Sequence, residues 1–82
     1  MISTTQELYT LVDFVIRQSR MRGHLDIAQQ LDDAIHLGSS GLEILGAVKT
    51  IFVAHNVQLQ NFLEREKIES VINFVTRDYG AD

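Results

Sequence analysis

The chain has no cysteine, so it can form no disulfide framework, no thiolate metal site and no cysteine nucleophile. Proline is also missing, and glycine occurs only at positions 23, 38, 41, 46 and 80, so the strongest breakers of local structure are few. No apolar run approaches the roughly 18 residues needed to span a bilayer. The start, MISTTQELY, lacks the basic segment, apolar core and small-residue cleavage site of a secretory leader. A cytoplasmic location is therefore expected. Positive charge is scarce: seven Lys and Arg against eleven Asp and Glu leave a formal charge of −4, which disfavours the phosphate neutralisation on which direct nucleic-acid binding depends.

What is present is ordinary globular material. Hydrophobic residues make up 45% and charged residues 22%, a balance that drives folding rather than disorder. Eighty-two residues imply one domain over 1–82, with only about 60–65% of the unfolded chain's surface hidden on folding, so there is no spare volume for a deep cleft.

The hydrophobic spacing is helical throughout, and the expected fold is an all-α bundle of four helices at about 4–22, 25–37, 40–55 and 61–79. In the first, Leu8, Leu11, Val12, Val15 and Ile16 share one face. Thr4 and Glu7 form a capping-box pattern at its start, and Arg17, Arg20 and Arg22 suit its C-terminal dipole before Gly23 stops it. The second buries Ile27, Ala28, Leu31, Ala34 and Ile35 and presents Asp26, Gln29, Gln30, Asp32, Asp33 and His36 outward.

Between these helices and the next lies LGSSGLEILG, at 37–46. Gly38 is placed to close the second helix in a left-handed conformation, and Ser40 with Glu43 makes an S-x-x-E start for the third. A phosphate-binding reading fails: there is neither G-x-x-x-x-G-K-S/T nor G-x-G-x-x-G, and Glu43 would put an anion where the phosphate belongs.

The third helix is apolar on two sides. Ile44, Leu45, Val48, Ile51, Phe52 and His55 form one face, and Leu42, Gly46, Val53 and Val57 a second. Gly46 would allow close approach of a neighbouring backbone. Beyond it, Leu59, Phe62 and Leu63 continue the first face, whereas Ile68, Val71, Ile72, Val75 and Tyr79 point almost the opposite way in an unbroken helix. A turn through about 56–60 resolves this, with Asn61 capping a last helix that Gly80 ends. The competing arrangement is one long kinked helix used in dimerisation.

Chemical candidates are sparse. His24, His36 and His55 fall on different elements without ligand spacing, so no metal or cofactor is expected. Asp32 and Asp33 diverge on a helix surface and cannot act as a dyad, and Ser39 and Ser40 lack a nucleophile elbow. No enzyme is indicated. In the EREKIE run, Glu64 with Lys67 and Arg65 with Glu69 have the spacing of surface helix pairs. Phe14 lies off the main face of its helix, where an aromatic can anchor an interface.

The segment LDDAIHLGSSGLEILGAVKTIF, about a quarter of the chain, resembles an element of small bacterial helical proteins in which A-x-x-x-G is followed by S/T-G-x-E-I-L. The chain also resembles the compact acidic helical immunity proteins encoded beside secreted toxins. That resemblance implies one-to-one binding of a toxin domain, and it transfers no contact residue.

Two functions follow as expectations. One is a protein-binding module that neutralises a basic partner, such as a nuclease toxin, through Asp26, Gln30, Asp33 and Glu43, with Phe14 as an additional contact. The other is a structural or adaptor homodimer formed through the third and fourth helices.

Overall fold

A computed structural model describes residues 2–79, with side chains to residue 77. Among these residues there is no strand, and the elements are α1 (Thr5–Met21), α2 (Leu25–Leu37), α3 (Gly41–Ala54), the single turn α4 (Asn56–Leu59) and α5 (Arg65–Tyr79). The expected all-α bundle is therefore observed. Gly80, expected to end the last helix, and the side chain of Tyr79 lie outside the described residues.

Each boundary has a local cause. Thr4 caps α1, its Oγ1 accepting from the Glu7 amide at 3.1 Å, and the Glu7 carboxylate accepts in return from the Ser3 and Thr4 hydroxyls. At the other end Gly23 has φ +83°, and the amides of Gly23 and His24 donate to the Arg20 and Ser19 carbonyls. This is the paired bond pattern of a left-handed helix stop, where glycine avoids the Cβ penalty.

Gly38 works differently. Its φ of −66° and ψ of 137° are extended, so the left-handed closure expected of it does not occur. The need for glycine there is steric. A Cβ would fall well inside contact distance of Ile44 Cγ1 and 2.9 Å from the Ala34 carbonyl oxygen. The 38–40 turn is pressed against the side of α3. Ser40 then caps α3, accepting from the Glu43 amide at 3.2 Å, and the Glu43 carboxylate accepts from the Ser39 hydroxyl at 2.7 Å.

The helices pack in sequence, α1 on α2, α2 on α3 and α3 on α5. They feed one core in which Leu8, Val12 and Val15 from α1, Ile27 and Leu31 from α2, Leu45, Val48 and Phe52 from α3, and Ile68, Val71 and Val75 from α5 are all but fully buried. Phe74, outside the stripe read from spacing, joins them. The radius of gyration is 11.5 Å, close to the roughly 12 Å expected for a single compact unit of this length.

The chain does break after α3, which excludes one long kinked helix. The last helix begins at Arg65 rather than Asn61, with the Glu64 carbonyl accepting from the Lys67 and Ile68 amides. The reason is rotational phase. Leu59 and Leu63 are buried through the α4 turn, and five helical residues from Leu63 to Ile68 would rotate the face by about 140°. Residues 60–64 absorb that rotation in short turns, so both Leu63 and Ile68 reach the core. Facing this connection, the Arg22 guanidinium lies 5.4 Å from the Phe62 ring centroid.

Candidate functional site

The outer side of the α2–α3 pair carries the arrangement of most chemical interest. Antiparallel packing through the tight 38–40 turn sets Gln30, Asp33, Ala34 and Leu37 of α2 opposite Glu43, Ala47, Thr50 and Ile51 of α3, around a shallow groove of about 440 Å³. The spacing of Gln30, Asp33, Ala34 and Leu37 puts them on one helix face, and the same holds for Glu43, Ala47 and Thr50. Alanines on both helices and the absent side chain at Gly38 keep the groove floor low.

The polar rim is held by hydrogen bonds, two within one turn and one across to the end of α3. Gln29 Nε2 donates to Asp33 Oδ1 at 2.8 Å, the Ser39 hydroxyl fixes Glu43, and His55 Nε2 lies 3.3 Å from Gln30 Oε1. Asp33 and Glu43 are exposed and both serve as acceptors, over a floor of Ala34, Ala47 and Ile51. At the edge stands Leu37, 76% exposed although it is a large aliphatic residue. Such a surface suits an ammonium or guanidinium on an aliphatic stem: the stem lies along the apolar floor and the head reaches the carboxylates.

The residues singled out from sequence divide among three places. Gln30, Asp33 and Glu43 come together here. Asp26 is exposed one turn further along the same strip of α2, outside the groove lining. Phe14, 42% exposed, belongs to a separate groove of about 700 Å³ along α1, where Ile2, Glu7, Leu11 and Phe14 face Lys67 and Ser70 of α5. There Glu7 is held below the ordinary glutamate range by hydrogen bonds from Ser3 and then Thr4. Of the two pairs expected in EREKIE, Arg65 and Glu69 meet at 3.0 Å, while Lys67 borders this second groove.

A third depression, between α1 and α2, is ringed by charges that answer one another. Arg17 pairs with Asp13, and Asp32 receives both Arg20 at 3.8 Å and His36 at 3.1 Å. Of these three, Arg20 with Asp32 bridges α1 and α2 while the other two lie within one helix, and as exposed pairs they contribute at most about 1 kcal/mol each.

Leu37, Ala47 and Thr50 were not among the residues singled out from sequence. Leu37 had a signal: a leucine on the last turn of a helix, directly before a glycine and two serines, has little of its own fold to cover it. Ala47 and Thr50 had none, because their role comes from the facing helix.

The fold and groove together define a small helical bundle with an acid-rimmed groove between α2 and α3. Compared with known proteins, the chain matches no family model, no curated protein and no solved structure.

Proposed function

We propose that the chain is a protein-binding module of the immunity type, which captures a basic partner such as a nuclease toxin domain on the groove between α2 and α3. The observation that carries this reading is the convergence of Gln30, Asp33 and Glu43, from two helices, around an apolar floor edged by the exposed Leu37. Clustered carboxylates steer a basic partner during encounter, and the apolar floor retains it once docked. The resemblance to acidic helical immunity proteins supports the same reading. A partner that holds RNA or DNA is basic at its active site, and covering that site would inactivate it.

The test uses binding kinetics against the protein encoded beside this chain, at low and moderate salt. Asp33→Lys is expected to slow association and speed dissociation, because Asp33 lines the groove. Asp26→Lys is expected to slow association alone, since its carboxylate contributes to the field without touching the occupant. Both variants should keep the helical circular dichroism of the parent. Unchanged kinetics for Asp33→Lys at both salt concentrations would remove this groove from the interface.

A further inference from the structure

The second apolar stripe of α3 faces away from the core. Leu42 is 57% exposed and Val53 54%, and Val57, just beyond the helix in α4, is 79% exposed. Between Leu42 and Val53 sits Gly46, at which an added Cβ would meet nothing within 4 Å. Among the described residues, nothing makes the close approach expected at Gly46. We propose that this strip is the contact face for a second copy of the same chain, packed antiparallel, α3 against α3, about a two-fold axis.

The spacing supports self-pairing. Positions 42, 46, 49 and 53 are separated by four, three and four residues, so the strip reads the same in both directions. The pairs 42/53 and 46/49 share one midpoint, between Ala47 and Val48. Turning one copy over therefore sets Leu42 against Val53 of the other and Gly46 against its Lys49, where the missing side chain leaves room for the lysine's aliphatic stem. A two-fold interface requires this reciprocity.

Charge opposes a basic partner at this face and permits a second copy, in which the two Lys49 ammonium groups, brought near the axis by this register, extend outward to solvent. The chain carries a net −4, so two copies repel unless they meet where acids are absent. The strip has no carboxylate, and its one charged position is Lys49. Area sets the strength. Covering about a tenth of the 4924 Å² surface on each copy removes roughly 1,000 Å² in total, the scale of weak, reversible complexes rather than obligate dimers. The expected species is a monomer in exchange with a dimer that forms as concentration rises.

Sedimentation of the whole chain from micromolar to millimolar concentration should show that exchange, and Val53→Glu should raise the dissociation constant by roughly tenfold or more while keeping helical circular dichroism. Because the chain has no cysteine, register can be read by oxidation. Gly46→Cys, near the axis, should give a disulfide-linked dimer. Leu42→Cys should not, since its two copies stand about 16 Å apart along the helices. Asp33→Lys, in the α2–α3 groove, should leave self-association unchanged, so failure of either proposal can be told from failure of the other. A wild-type chain that stays monomeric at millimolar concentration would overturn the proposal. A dimer indifferent to Val53→Glu would overturn this face, and cross-linking at both cysteine positions would overturn the antiparallel register.

Discussion

Replacing Gly38 with alanine separates two reasons for having glycine at a helix end. With φ at −66°, alanine fits the backbone without strain, so dihedral preference alone predicts a gain of about 0.4–1 kcal/mol from the stiffer unfolded chain. The surroundings oppose that gain. The new methyl would overlap Ile44 Cγ1, bonded directly to the branch point of a packed side chain, and would lie 2.9 Å from the Ala34 carbonyl oxygen, which belongs to the last turns of α2 and can move little. Overpacking of this kind costs about 1–3 kcal/mol, so the steric effect wins and a net loss of about 1–2 kcal/mol is expected. In a domain this small that lowers the melting temperature by roughly 5–15 °C. Urea denaturation of Gly38→Ala, Ile44→Ala and the double variant provides the check. Removing Cγ1 makes room, so the double variant should be more stable than the sum of the single losses. Ile44→Val keeps Cγ1 in place and should give no such relief. Rescue by Ile44→Ala should be partial, because the Ala34 carbonyl remains. A Gly38→Ala chain as stable as the parent, with an additive cycle, would refute the reasoning and return the glycine's role to its dihedral angles.

Gly46 predicts the opposite sign. With open space around its missing Cβ, Gly46→Ala should stabilise the monomer by about 0.5–1 kcal/mol through helix propensity, measured at a concentration low enough to avoid association. Ser40→Ala should destabilise by about 0.5–2 kcal/mol through loss of the α3 cap, and nucleotide binding abolished by that change would contradict the reading of the loop. For Glu7, NMR titration should place the carboxyl midpoint below that of a free glutamate, and Ser3→Ala should move it back upward more than Thr4→Ala. The sign follows from linkage: a depressed folded-state pKa gives stabilisation that is present above the unfolded-state value and lost as pH falls through the folded one, so removing the Ser3 hydroxyl should flatten stability against pH on the acid side only.

The fold was legible because helical periodicity is a property of single segments. Leu8, Val12 and Val15 in α1, or Ile27 and Leu31 in α2, announce one buried face from spacing alone, and the structure buries them. Thr4 and Ser40 were equally readable, since a cap bonds within three residues of itself. Misreadings arose where the deciding contact is distant in sequence or a phase must be reset. Gly38 has the composition of a left-handed stop, but its conformation is set by Ile44 and the flank of α3. Asn61 has the pattern of a cap, but the burial of Leu63 delays the helix to Arg65. Of the site, the sequence points to the strip Asp26, Gln30 and Asp33 on α2 and adds Glu43 from α3. That Glu43 joins Gln30 and Asp33 and Asp26 does not is a consequence of how α2 and α3 meet, which no local pattern encodes.

The position of Glu43 also decides how the site should be probed. Its amide bonds to the Ser40 cap and its carboxylate to Ser39, so the residue that rims the groove also helps begin α3. Its substitution would weaken helix initiation and binding together, and neither effect could be read alone. Asp33 bonds, among the described residues, to Gln29 one turn before it on an exposed surface, a pair worth a few tenths of a kcal/mol to the helix. Charge reversal there leaves the fold nearly untouched while inverting the groove's potential where a basic side chain would dock. A binding defect in Asp33→Lys is therefore attributable to the surface itself. A defect in Glu43→Lys becomes attributable only when Ser40→Ala, which perturbs the same helix start without changing charge, binds normally.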